Sequence, residues 1–284
     1  MASSLIASSE APVIVGLGST GLSCVRHFQR KGIPCAVVDS RDEPPGLAEL
    51  AATFPDVPVT TGGFDADVLA RAGRLVVSPG VALEEPAVAA AIEGGVPVCG
   101  DIDLFCDAAT APVVGITGSN GKSTVTSLLG QMAAHCGRQV GVGGNLGTPA
   151  LDLLEDEAEL YILELSSFQL ERAGNLGLAL ATVLNMSADH IDRHGSMQRY
   201  HTAKHRIFRN CEAVVFNRDD PLSRPLQADQ LPGRSFGLGA PDRLGFGLRQ
   251  HDGESWLFRE FEPLMPARTI VPPRATRSIA SRIG

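Results

Sequence analysis

The chain has no apolar run near the roughly 20 residues needed to cross a bilayer, so no membrane insertion is expected. It has no basic flank ahead of the three-residue apolar patch in its start, "MASSLIASSEAP", which therefore does not read as a signal peptide. It has no C-x-x-C pair among its six cysteines (24, 35, 99, 106, 136 and 211). Cys24, Cys35 and Cys136 stand in apolar surroundings, where a free thiol behaves as a small hydrophobe, and a reducing cytoplasm is the expected home. Positive charge is also in short supply. A net charge of −8 argues against any general affinity for nucleic acid or anionic membrane, so a phosphate ligand must be held by loops, metals and a few lysines.

What is present is a soluble α/β composition, 44% hydrophobic with 31 glycines in 284 residues, long enough for two domains. In "VIVGLGSTG" (13–21) an apolar strand runs into Gly16, Gly18 and Gly21, the G-x-G-x-x-G spacing of a dinucleotide-binding turn. A helix follows with Leu22, Val25 and Phe28 on one face and stops at Gly32. "PCAVVD" ends in Asp39, about twenty residues past the loop, where a ribose-binding acid sits in such folds. "RLVVSPG" (74–80) is a third strand closing on a Ser-Pro-Gly turn, and "PVCG" (97–100) hints at a fourth. Glycines and a helix N-terminus suit a diphosphate without specifying nicotinamide. NAD(P), another nucleotide diphosphate, or a turn serving packing alone all remain open on these residues.

"VVGITGSNGKST" (113–124) is a second phosphate-type loop. A strand ends at Gly118–Gly121, and Lys122, Ser123 and Thr124 open a helix whose apolar stripe is Val125, Leu128, Leu129, Met132, Ala133 and Cys136, ending at Gly137. A strict P-loop is G-x-x-x-x-G-K-[ST]; here Ile116 stands where its first glycine belongs, with glycines at 115 and 118 instead. The mechanism survives the change: N–H groups cradle phosphates, Lys122 reaches the β and γ oxygens, and Ser123 offers a hydroxyl to Mg²⁺. A Gly-rich turn with a surface lysine is the plain alternative.

Three further stretches put polar groups at the ends of apolar strands, where parallel sheets bind ligands. They are "VGVGGNLGTPAL" (140–151), "LYILELSSFQLE" (160–171) with Glu164, and "ATVLNMSADHIDRHGSM" (181–197) with Asn185, Asp189 and His190. His190/His194 and His201/His205 are i, i+4 pairs, but Ile191 and Thr202 stand where H-E-x-x-H zinc hydrolases carry glutamate, and at least two of these histidines are expected at the surface. Ser196 caps a helix with apolar face Met197, Tyr200, Ile207 and Phe208, and Lys204 falls on that face. Snorkelling is one reading of Lys204; the other is a desolvated amine able to react with CO₂ and become an anionic metal ligand.

Taken together, "GLGSTG", "SPG", "GDIDLF", "GITGSNGKST", "GGNLGTPALDLL", "LELSSFQLE", "LNMSADHIDRH" and "YHTAKHRIF" resemble the Mur ligase family across residues 10 to 267, most of all its D-glutamate-adding branch. The resemblance implies an α/β fold: an N-terminal Rossmann-like parallel sheet domain (1–100), then a P-loop-type α/β ATPase domain (101–267), with a C-terminal third domain missing and a divergent tail (268–284). It implies ADP-forming amide synthesis, in which ATP phosphorylates the carboxylate of UDP-N-acetylmuramoyl-L-alanine and the amine of D-glutamate attacks the acyl phosphate. The first loop would then hold UDP and not NAD. Gly18, Ser19, Thr20, Asp39, Ser40, Arg41, Ser78, Pro79, Gly80, Asn145, Ser166 and His190 would contact the UDP-substrate. Gly118, Ser119, Asn120, Gly121, Lys122, Ser123 and Thr124 would bind ATP. Two Mg²⁺ ions are implied, one on Ser123 and Glu164, the second served by His190 and a carbamylated Lys204. Lys122, Glu164, His190 and Lys204 form the implied catalytic set of a cytoplasmic monomer. Another Mur ligase, a folylpolyglutamate-type ligase, or a non-catalytic UDP-sugar or ATP-binding module are the alternatives. The family-like sequence stops near "FEPLMPA" (261–267), and "RTIVPPRATRSIASRIG" carries four arginines and no acid; a truncated chain without turnover of its own is the expectation.

Overall fold

A computed structural model describes residues 11–155, 157–226 and 231–270. The start of the chain and all of the expected tail beyond residue 270 lie outside these residues. The first part holds β1 (Pro12–Val15), α1 (Ser19–Arg30), β2 (Ala36–Val38), α2 (Leu47–Thr53), β3 (Val59–Thr60), α3 (Ala66–Ala70), β4 (Arg74–Val77), α4 (Pro86–Glu93), β5 (Val98–Cys99) and α5 (Asp101–Ala108). Its strands pair in parallel in the order β3-β2-β1-β4-β5. Successive side chains alternate between two apolar layers: Ile14, Val37 and Val76 meet α1, while Val13, Val15, Val38, Leu75 and Val77 meet Leu69 and Val88 on the other face. A sheet covered on both faces accounts for strands that are apolar throughout. The edge strand β3 was not evident from sequence; both of its residues are exposed, so no apolar signal marks them.

The second part holds β6 (Val113–Thr117), α6 (Lys122–His135), β7 (Val140–Gly144), β8 (Leu160–Glu164), α7 (Ser167–Arg172), β9 (Leu180–Val183), α8 (Ile191–His194), α9 (Met197–His205), β10 (Val214–Asn217), β11 (Gly233–Phe236), β12 (Phe246–His251), β13 (Glu254–Arg259) and β14 (Glu262–Pro266). The sheet order is β14-β13-β12-β11-β10-β9-β6-β8-β7, parallel from β7 to β12 and antiparallel from β12 to β14. In both sheets the phosphate-type loop leaves a central strand whose neighbours run to opposite sides, which opens a crevice at the carboxyl ends of the strands.

One continuous core joins the two parts, running from Leu22, Val25 and Phe28 of α1 through Ile102 and Phe105 to Leu151, Tyr161 and Leu163. Arg26 seals its edge with hydrogen bonds of 3.1 and 2.6 Å to Asp152, and Arg30 donates to the carbonyl of Leu151 at 3.0 Å. Among the described residues no helix is long and apolar enough to cross a membrane.

Two packing expectations fail. The stripe of α6 does not face the sheet: Val125, Leu128 and Met132 are 36%, 53% and 57% exposed, and the helix seats instead through buried Thr126 and Gly130. The cause is close approach, since a Cβ on Gly130 would stand 2.7 Å from Val142, leaving room only for small residues. Cys136 is exposed at the end of this helix for the same reason, whereas Cys24 and Cys35 are buried as expected.

Candidate active site

The first glycine loop is held from two sides. Gly16 (φ 99°) donates to the carbonyl of Val38 at 2.8 Å, and a Cβ on Gly21 would lie 2.0 Å from the carbonyl oxygen of Gly16, so only glycine lets α1 start there. Asp39, buried at the end of β2, accepts from the Leu17 N–H at 2.7 Å, the Arg41 N–H at 2.9 Å and the Arg41 guanidinium at 2.8 and 2.6 Å. Burial pushes its carboxyl up, but these hydrogen bonds outweigh it and hold the pKa at about 2. Ser78 ties the end of β4 to the loop by donating to the Gly16 carbonyl at 3.0 Å.

Above this loop lies a cavity of about 480 Å³. Gly18, Ser19, Thr20, Asp39, Ser40, Arg41, Ser78, Pro79 and Gly80 line it from the first part, and Gly144, Asn145, Gly147 and Gln169 from the second. Ser166 and His190 are not in that lining. The Ser166 hydroxyl is occupied as the N-cap of α7, bonded at 3.1 Å to both the backbone N–H and the side-chain carbonyl of Gln169.

The second loop sits next to this cavity. Gly121 (φ 77°) opens α6, and Lys122 curls back to donate to the carbonyls of Gly118 and Ser119 at 3.0 and 3.1 Å. Glu164, 2% exposed at the end of β8, accepts from the Ser123 hydroxyl at 2.7 Å and the Asn145 amide at 2.8 Å. Lys204, also 2% exposed, donates to the Thr117 hydroxyl at 3.1 Å and the Gly118 carbonyl at 2.9 Å, with its ammonium 4.9 Å from the Tyr200 ring. Burial, then repulsion from Lys122, pulls its pKa down to about 7 against the attraction of Asp189 and Glu164. Two amines thus share the Gly118 carbonyl. His190 caps α8 in a left-handed conformation (φ 51°), half exposed, 3.5 Å from the Asp189 carboxylate and against the Phe168 ring at 5.1 Å. Among the described residues no three His, Cys, Asp or Glu side chains form a metal cage. The fit to Mg²⁺ rests on the donor set: a buried carboxylate whose two partners are neutral, beside a hydroxyl, offers the hard oxygens this ion takes.

Two family patterns match: "Mur ligase MurD-like, N-terminal domain" over residues 10–100 and "Mur ligase middle domain" over residues 116–254. This chain belongs to the Mur ligase family. The UDP-N-acetylmuramoylalanine--D-glutamate ligase of Pseudomonas fluorescens is 55% identical over 94% of this chain and 60% of its own length. The enzyme of that name from Pseudomonas aeruginosa is 56% identical over 93% of this chain and 59% of its own. The chain therefore spans about 60% of the length of these curated relatives. In fold it is similar to the UDP-N-acetylmuramate:L-alanyl-gamma-D-glutamyl-meso-diaminopimelate ligase of Neisseria meningitides (TM-score 0.56, 18% identity, covering 92% of this chain and 90% of that one). A murein peptide ligase from Psychrobacter arcticus gives TM-score 0.51 at 14% identity, covering 89% of this chain and 59% of that one.

Several residues shape this Mur ligase site through contacts that the sequence did not assign to them. Asn185 accepts from the Asn120 N–H and donates to its carbonyl, both at 2.9 Å, pinning the second glycine loop just past the end of β9. The buried Tyr200 hydroxyl holds the Ser119 hydroxyl at 3.0 Å. Phe168 stacks on His194 at 5.1 Å, and His194 itself is buried, its Nε2 3.0 Å from the Ser167 hydroxyl. The expectation that at least two of the four histidines lie at the surface holds: His190 is exposed and His201 and His205 stack on each other half-buried, while His194 alone is buried. An asparagine ending the strand beside a phosphate loop is a signal that sequence offers; Phe168 gives none, because its partners lie more than twenty residues away.

Proposed function

We propose that this chain provides the nucleotide-sugar and ATP sites of an ADP-forming ligase that joins D-glutamate to UDP-N-acetylmuramoyl-L-alanine. The observation that carries the reading is the cavity shared by the first glycine loop and Asn145, whose amide holds the Glu164 carboxylate beside the phosphate loop. A UDP-sugar seated on residues 1–100 would extend its carboxylate toward residues 101–267, where ATP is bound. Gly18, Ser19, Thr20 and the Ser78–Gly80 turn hold the diphosphate; Asp39, Ser40 and Arg41 lie by the uridine; Asn145, Ser166 and His190 contact the muramoyl end. The Asp39 carboxylate is already committed to Leu17 and Arg41, so it shapes the uridine pocket and Ser40 and Arg41 supply its free donors.

On the ATP side, Gly118–Thr124 wrap the phosphates and Lys122 leaves its two carbonyls to neutralise the β and γ oxygens. Ser123 and Glu164 would hold one Mg²⁺, and His190 with a carbamylated Lys204 would serve a second; such ions would neutralise charge on the transferring phosphoryl group. Lys204 suits that modification because a pKa near 7 leaves much of the amine neutral and nucleophilic toward CO₂. The acyl phosphate gives the carboxylate carbon a leaving group; the amine of D-glutamate adds and phosphate departs. The reading includes a monomeric enzyme of the cytoplasm, a reducing compartment with which six free cysteines accord.

Calorimetry tests the reading. UDP-N-acetylmuramoyl-L-alanine and Mg·ATP bind this chain and NAD does not; tight NAD binding with none for the UDP-sugar overturns it.

A further inference from the structure

Three arginines of the second part reach across to one loop of the first. From α7, the fully buried Arg172 donates to the carbonyl of Val81 at 3.0 Å. From α8, Arg193 donates to the carbonyl of Pro79 at 3.2 Å and more weakly to that of Gly80 at 3.5 Å. From α9, Arg199 pairs with the Glu84 carboxylate. The loop they hold is the Ser-Pro-Gly turn after β4, which lines the large cavity and is tied to the first glycine loop through Ser78.

Arg193 differs from the other two in what stands behind it. Its guanidinium lies 4.7 Å over the Phe168 ring, and the same ring meets His190 at 5.1 Å and His194 at 5.1 Å. His190 is the N-cap of the helix that carries Arg193. A line of direct contacts therefore runs from the turn carbonyls through the guanidinium and the Phe168 ring to His190. A flat fork can serve carbonyls at its edge and a ring at its face at once, which a lysine ammonium cannot do.

We propose that Arg193 is a positioning residue that couples the two ligand sites: a nucleotide sugar seated against the Pro79–Gly80 turn fixes α8, and α8 fixes His190 where the muramoyl end meets the metal on the ATP side. Each ligand then tightens the other. This rests on the ligand assignment made above, and it adds the route by which one site senses the other. Coupling through a shared element is reciprocal, so the same factor must appear whichever ligand is added first.

The experiment is calorimetry on the 284-residue chain with UDP-N-acetylmuramoyl-L-alanine and with the β,γ-imido analogue of ATP plus Mg²⁺, each titrated alone and in the presence of the other. The parent shows mutual tightening of about fivefold or more, equal in both orders. Arg193→Ala binds each ligand alone within about twofold of the parent, but its mutual tightening falls to near one. Arg193→Lys does not restore it. Phe168→Leu, which cuts the line without touching the turn, loses the coupling equally, and the double variant loses no more than either single one. Coupling that persists in Arg193→Ala overturns the proposal, as does a variant whose only change is a lower melting temperature. A parent that binds both ligands without coupling overturns it while leaving the site assignment standing; a parent that binds neither ligand sinks the assignment and this proposal together.

Discussion

Replacing Asp39 by asparagine tests whether one buried carboxylate holds the first glycine loop. The side chain is 3% exposed and its pKa is lowered to about 2, from 3.8. That shift corresponds to about 2 kcal/mol of stabilisation at neutral pH. The asparagine side chain could still accept the Leu17 N–H through its carbonyl, but its NH₂ group would then face the Arg41 N–H and guanidinium, donor against donor. Orphaning one of them brings the expected cost to about 3 kcal/mol at pH 7. The pH dependence has a definite sign. A lowered folded-state pKa gives stability that is complete well above 3.8 and is lost as pH falls toward 2, because in that window the unfolded chain takes up a proton that the folded chain refuses. The Asp39→Asn variant has no such group. The gap between parent and variant, measured by urea unfolding followed by far-UV circular dichroism, therefore narrows by about 1 kcal/mol between pH 7 and pH 3. Amide exchange at Leu17 speeds up in the variant by a matching factor. A gap below about 0.5 kcal/mol at pH 7, or one that stays constant down to pH 3, refutes the account of this loop.

Three other outcomes follow from the site and its surroundings. Glu164→Gln keeps the shape beside Ser123 and Asn145 but removes the buried charge, so Mg²⁺-dependent nucleotide binding weakens by about tenfold or more while UDP-sugar binding holds; equal affinity with and without the charge argues against Mg²⁺ at Glu164. In ¹³C-bicarbonate, a carbamate resonance grows from pH 6 to pH 8 as Lys204, with its pKa near 7, loses its proton, and it vanishes in Lys204→Arg; a signal that survives the substitution belongs to another amine. Leu128→Gln and Met132→Gln on the exposed face of α6 change stability by less than about 0.5 kcal/mol, whereas Gly130→Val costs about 3 kcal/mol, and the opposite order in denaturant titrations means the helix is turned round.

The contrast on α6 shows what kind of information the sequence carried. Elements whose signal is local were legible: β1 with its glycine turn, β6 with Lys122 and Ser123, and the Ser196 cap that starts α9. The place of Lys204 was legible in part: its helical spacing from Tyr200 and Ile207 put its stem on an apolar face, but the pattern left snorkelling open, and only the fold shows the whole side chain buried. Periodicity reports where apolar area lies, however, and not how close two backbones come. Where glycine-rich β7 meets Gly130, closeness decides the packing and the small face goes inward, leaving the apolar one in solvent. The contacts between distant stretches of the chain around the two glycine loops were beyond reach for a different reason. Arg172 and Val81 are 91 residues apart, Gln169 and Asp101 are 68, and Arg193 and Pro79 are 114. Nothing in the residues around an arginine says that its partner is a carbonyl, because a carbonyl has no sequence identity at all. A site made of side chains at strand ends can be read from its motifs, while the contacts that make two such sites act together exist only once the chain has closed on itself.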